Sequence, residues 1–298
     1  SFEGGRGRPP GVRGGGLGPV RLPRGRGGGR VRRAGGGSVL LFILVALGLW
    51  VFAGINPLQL IDMMGQGSSG GGTIATQPQR PPMSAEEKAA ADRQAAFMRT
   101  VLAETEDTWQ SIFAANNLTY RAPTLVVYDD AIQSGCGFSS AAVGPYYCPL
   151  DQKIYIDLSF FKVLSQRLDA PGDFAQAYVL AHEVGHHVQN LTGVLERSHR
   201  MRETMSQRDS NAESVKVELQ ADCYSGVWAR SVDRLLDTGD IDEALGAASA
   251  VGDDMLQRQG QGRVVPDSFT HGSAAQRSAW FRRGYASGNP ADCDTFAG

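Results

Sequence analysis

Cysteine is scarce in this chain: four residues in 298, at positions 136, 148, 223 and 293, with gaps of twelve, 75 and 70. None lies two to four residues from another, which excludes a cysteine-knuckle zinc site. An even, sparse set suits two disulfides in an oxidising compartment, with three pairings open. The short spacing makes Cys136–Cys148 the natural local bridge, which leaves Cys223–Cys293. Histidine is nearly as rare, with five residues. Aromatic residues are almost missing from the N-terminal 37, where Phe2 stands alone beside nine arginines and one glutamate. That segment carries +8, so the remaining 261 residues carry −10 within a chain of net −2. Gly-Arg repetition without apolar content predicts a disordered tail over 1–37. Arginine without interleaved aromatics argues against nucleic acid as its partner.

Charge is lacking altogether from Val39 to Ile55 (VLLFILVALGLWVFAGI). Seventeen residues reach the lower end of the length that spans a bilayer, so 38–61 is predicted to be one transmembrane segment. The arginines before it predict a cytoplasmic N-terminus, with the rest of the chain outside the cytoplasm. A cleavable signal is the rival reading, although the apolar run is long for one. Residues 62–83, rich in Gly, Ser and Pro, read as a flexible linker. The folded domain is then expected over 84–298, as an α+β unit, mostly helical with a small sheet.

Ser84 with Glu87 three residues on is a capping-box pattern, and apolar positions from Phe97 to Phe113 recur at three and four, predicting a helix that ends near Asn116-Asn117. Thr124–Tyr128 and Lys153–Leu158 read as strands, with a turn-rich loop between them. Asp173 is placed to cap a helix that Asn190–Gly193 would stop. That helix carries His182-Glu183-Val184-Gly185-His186. Two histidines four apart share one helix face and can take adjacent corners of a Zn²⁺ tetrahedron. Glu183 sits where it can remove a proton from water activated by the metal. His187 is about 100° round the helix from His186, so it reads as a supporting or core histidine.

A catalytic zinc site needs a third protein ligand. A second helix, expected over roughly 211–236, carries Glu218 and Asp222 four apart among apolar neighbours. Glu218 is the candidate ligand, with Glu213 as competitor. Asp222 is the candidate partner for the far nitrogen of a ligand histidine. His271 is nominated to stabilise the oxyanion, with Tyr178 and Tyr224 as rivals. Further helices are expected around 241–256, capped by Asp240, and around 276–285, capped near Ser273. Both read as packing elements without chemistry.

Gly135-Cys136-Gly137, Gly144–Pro149, Tyr155–Phe160, Ala181–Gln189, Glu218–Cys223 and Gly262–Gly272 together resemble the putative neutral zinc metallopeptidases, single-pass proteins of the bacterial envelope. The resemblance covers roughly 84–296, together with the order of a Gly/Arg-rich tail before one apolar segment. It implies a zincin-like fold, Zn²⁺ as cofactor and a peptide or protein substrate. On such a fold an edge strand aligns an extended peptide over the active-site helix, and Tyr155–Leu158 is the candidate strand. The rival class is a zinc-containing envelope scaffold without proteolysis. An intact Glu183 argues against it, since a structural site gains nothing from a general base.

Overall fold

The computed structural model describes residues 83–128, 131–140 and 143–297. The predicted tail, the transmembrane segment and all but the last residue of the linker lie outside them. No helix among the described residues is long and apolar enough to cross a membrane. The domain is mostly helical with a small sheet, as expected.

Helix α1 (Ala85–Ala115) opens with the predicted capping box: Ser84 Oγ accepts from Glu87 N–H at 3.2 Å, and the Glu87 carboxylate accepts from Ser84 N–H at 2.8 Å. Its buried stripe of Met98, Val101, Leu102, Trp109 and Phe113 packs into the core. It stops at Asn116, with Asn117 in a left-handed conformation. The chain then forms β1 (Thr124–Tyr128), the hairpin β2 (Ala131–Ser134) and β3 (Gly137–Ser140), β4 (Tyr146–Cys148) and β5 (Lys153–Asp157). β5 lies in the middle of a three-stranded sheet, parallel to β1 and antiparallel to β4. This corrects the assignment of Tyr155–Leu158 as an edge strand. β5 is paired on both sides, its residues from Ile154 to Asp157 are buried, and the edge beside the cleft is β4.

Helix α2 (Ser159–Gln166) leads to α3 (Asp173–Leu191), the centre of the fold. Fourteen of its nineteen residues are buried, because α1, the sheet and later helices surround it. Its start differs from expectation. Asp173 is the first helical residue, and Gly172 occupies the cap without a side chain. The orphan N–H of Phe174 is instead satisfied by Glu243, a carboxylate from a distant helix, at 3.1 Å. Gly172 has a φ of 117°, a conformation that side-chain-bearing residues rarely adopt, and a Cβ there would also crowd the Glu243 carboxylate, so the position favours glycine. The helix ends at Thr192, with Gly193 left-handed, where the stop signal is expected.

Helices α4 (Val194–Arg202) and α5 (Gln207–Ser231) follow; α5 starts four residues before the predicted start, because Ser206 caps it through Asp209 N–H. Residues 233–235 beyond it form a separate turn rather than its last one. A single helix over 241–256 is replaced by two, α6 (Asp240–Ala250) and α7 (Asp253–Gln261). The break falls at Gly252, where the backbone of Ala274 comes so close that a Cβ would lie 2.4 Å from its nitrogen. Asp240 is the first residue of α6 rather than its cap, which is Gly239. Helix α8 (Ala274–Ser287) does have the predicted Ser273 cap, in a capping box with Gln276. It presses against α5 where two glycines face backbone: Gly226 against Phe281 and Gly284 against Cys223. The disulfides are Cys136–Cys148 and Cys223–Cys293, the expected pairing.

Candidate metal centre

Helix α3 turns His182 and His186 to one face, their rings 4.7 Å apart between centroids and nearly perpendicular. Helix α5 approaches that face closely, because Gly185 meets Ala221 with no room for a larger residue without adjustment. The approach brings in Glu218, whose carboxylate lies 3.2 Å from His182 Nε2 and 3.6 Å from His186 Nε2. One donor atom from each of the three lies within 4.8 Å of the others. No lysine or arginine pairs with Glu218 among the described residues. Burial works against its charge, yet the imidazoles of His186 and His182 hold its pKa well below the usual carboxylate range. Burial likewise opposes a charged His182, but Asp222 and Glu218 outweigh it and raise its pKa to about 9. Two imidazoles, one carboxylate and an open side match a catalytic zinc donor set.

The far nitrogens of both imidazoles are occupied. His182 Nδ1 donates to Asp222 Oδ1 at 2.9 Å, and His186 Nδ1 donates to Gln189 Oε1 at 2.9 Å. These bonds fix the tautomer that turns each Nε2 towards Glu218. Gln189 is anchored in turn on Val217 O and Gln220. Asp222 is fully buried and gripped by Arg277, which donates from Nε to one carboxylate oxygen at 2.8 Å and from a terminal nitrogen to the other at 2.9 Å. Tyr178 also donates its hydroxyl proton to Asp222. Neither Arg277 nor Gln189 is picked out by the sequence. Gln189 follows His186 by three on the same helix, a spacing that could have found it, whereas Arg277 sits in a segment read as mere packing.

Glu183 is buried beside the triad and lines the same cavity, of about 530 Å³, as His182, His186, Glu218 and His271. His271 Nδ1 lies 3.2 Å from Asp253, and its side chain is half exposed. Asp253 holds this loop by accepting the backbone N–H groups of Thr270, His271 and Gly272 at 2.7, 2.7 and 3.0 Å. Of the rival groups, Tyr178 borders the cavity but spends its proton on Asp222, and Tyr224 packs against Trp109 away from it. Glu213 is buried outside the triad, with Lys216 3.4 Å from its carboxylate. His187 is a core residue that donates to Arg121 O and accepts from Tyr147, tying β4 to α3. Another group of carboxylates, Asp173, Asp240 and Glu243, contains no histidine, and Glu243 is engaged in capping α3.

Relatives share this chain over most of its length. An Escherichia coli protein, YpfJ, described as uncharacterized, is 45% identical over 278 residues, covering 93% of this chain and 88% of its own. The Mycobacterium tuberculosis protein Rv2575 and the Mycobacterium bovis protein Mb2605, both also described as uncharacterized, are 46% identical over 191 residues, covering 60% of this chain and 64% of theirs. No solved structure matches. The family model that matches residues 20–296 takes in the two-histidine helix, Glu218 and the Asp222–Arg277 clamp together, and by that match the chain belongs to the family described as putative neutral zinc metallopeptidase.

Proposed function

We propose that the chain is a zinc-dependent peptidase of zincin-like fold, held at the membrane by the apolar segment 38–61 with its catalytic domain outside the cytoplasm. The observation that carries the reading is the convergence of His182, His186 and Glu218 on one point of a cleft that also holds Glu183. His182, His186 and Glu218 would hold Zn²⁺. Zinc bound there supplies a Lewis acid that polarises a carbonyl and acidifies water. Glu183 takes the proton from the attacking water and returns it to the leaving amine. His271, braced by Asp253, donates to the oxygen on which negative charge develops. β4, the edge strand beside the cleft among the described residues, aligns an extended peptide by main-chain hydrogen bonds. Two disulfides suit a location outside the cytoplasm.

Elemental analysis of the unaltered chain, Glu218→Ala and Glu183→Gln, alongside hydrolysis of a mixed peptide pool, tests the reading. One zinc per chain is expected in the unaltered protein and in Glu183→Gln, with hydrolysis lowered by roughly two to four orders of magnitude in the latter. Glu218→Ala should lose both zinc and hydrolysis. Full zinc occupancy without Glu218 would refute its assignment as ligand. Zinc with no hydrolysis by the unaltered chain would leave a non-catalytic zinc domain.

A further inference from the structure

One charged side chain in the cleft is not used by the zinc site. Helix α4 and the first turn of α5 are rich in cations, and nearly all of them have partners among the described residues. Arg197 donates to Thr192 O at 3.2 Å, and Arg200 pairs with Glu196. His199 lies 3.6 Å from Glu203, and Arg208 pairs with Asp267 at 3.2 Å. Arg202 differs. It lines the same cavity as His182, His186 and Glu218, and it has no acidic partner among the described residues. Among the described residues, its one side-chain hydrogen bond runs from Nε to Ser210 Oγ at 3.1 Å. That bond spans the turn between α4 and α5, and among the described residues no acceptor takes up the two terminal nitrogens.

The acids of the cleft do not compete for it. Glu218 faces the two imidazoles, Asp222 is held by Arg277 and His182, and Glu183 makes no ion pair with Arg202. A guanidinium with its two terminal nitrogens open matches a carboxylate, which can take both N–H bonds side by side. We infer that Arg202 is a specificity residue that binds a carboxylate on the substrate, so that the cleft prefers peptides carrying negative charge at that point. This rests on the peptidase reading of the site. The carboxylate comes from an Asp or Glu side chain or from the C-terminus of a short peptide; the first makes the enzyme cut beside acidic residues, the second makes it trim chain ends.

The test uses labelled pentapeptides of one neutral sequence, varied by Glu, Gln or Lys at each position in turn and by a free-acid or amide C-terminus. Binding is read by fluorescence anisotropy on the whole chain carrying Glu183→Gln and loaded with zinc, and cleavage of the same set by the unaltered chain is read by mass spectrometry. Carboxylate-bearing peptides should be favoured about threefold to tenfold over neutral ones, and by more at low salt, because the rim is open to water. The advantage should vanish in Arg202→Gln and pass to the Lys peptides in Arg202→Glu. Arg202 is exposed, so neither change disturbs the core. A preference for Glu in amidated peptides identifies the side-chain source, and a preference for the free acid without Glu identifies the chain end. Equal binding of acidic and neutral peptides, or a preference that survives Arg202→Gln, would overturn the assignment. If the preference is found in binding and lost with Arg202 while nothing is cleaved, the peptidase reading falls and the carboxylate site stands. Cleavage without any acid preference does the reverse, and a cleft that binds no peptide of the set overturns both.

Discussion

Asp222 is the most heavily shared side chain of the site: His182, Tyr178 and Arg277 all donate to it, in a fully buried position. Burial alone would push its pKa up; Arg277 and then His182 more than offset that and keep the carboxyl ionised. Truncating Arg277 would leave a buried charge poorly matched, and the bond that fixes the His182 tautomer would lose its brace. Arg277→Met is therefore expected to weaken zinc binding about tenfold to a hundredfold, with Arg277→Lys, which keeps charge but loses the fork, in between. Competition with a chromophoric chelator measures the affinity, and melting of the metal-free protein separates it from stability. A lower melting temperature with unchanged zinc affinity would make Arg277 a packing residue only. What could be read at this scale without a structure was the local part. His182, Glu183 and His186 show themselves because one helical turn carries all their spacing. Glu218 and Glu213 are five apart, about 140° around a helix, so only one of them can face α3. Which one depends on how α5 is rotated against α3, and no local pattern carries that. Arg277 is 55 residues from Asp222 and belongs to no motif.

Elements announced themselves where their ends are sealed by near neighbours. The capping boxes at Ser84 and Ser273 and the left-handed stop at Gly193 are local chemistry, and all three lie where the sequence predicts them. The departures have distant causes. Glu243 replaces Asp173 as the cap of α3, the Ala274 backbone splits a helix at Gly252, and β1 pairs with β5 in parallel so that the edge passes to β4. Helix–helix approach is likewise set by contacts remote in sequence. At Gly226 a Cβ would lie 2.1 Å from Phe281 O and 2.8 Å from Tyr285 N, atoms that cannot swing aside. Gly226→Ala must push α8 off α5, and the strain, about 1–3 kcal/mol, outweighs the gain of up to about 1 kcal/mol in helix propensity. Gly246 in α6 has nothing within 4 Å of a built Cβ, so Gly246→Ala keeps the propensity gain. The two variants should move the thermal midpoint in opposite directions. A midpoint raised by Gly226→Ala would mean that α5 and α8 are less tightly docked than the structure describes.

At the scale of the molecule, the chain beyond α5 is tied back to the site by one disulfide. Cys223 is the neighbour of Asp222 on α5, and Cys293 lies beyond α8, so their bridge closes a span of 70 residues. Everything the chain beyond α5 contributes to the cleft lies inside that loop, including the His271 turn held by Asp253 and Arg277 on α8. The other bridge, Cys136–Cys148, closes only twelve residues and ties the β2–β3 hairpin to the end of β4. Loop-closure entropy makes the longer link worth about 4 kcal/mol and the shorter about 3. Their effects on the site should differ far more than these energies do. Replacing Cys223 and Cys293 by serine frees the end of the segment that seats Arg277 against Asp222, so urea unfolding should show lost stability and chelator competition should show weaker zinc binding. Replacing Cys136 and Cys148 should cost stability while leaving zinc affinity near that of the unaltered chain, because none of the triad or its braces lies in that loop. Equal zinc affinity in both variants would mean that packing of α8 on α5, through Gly226 and Gly284, places Arg277 without help from the bridge.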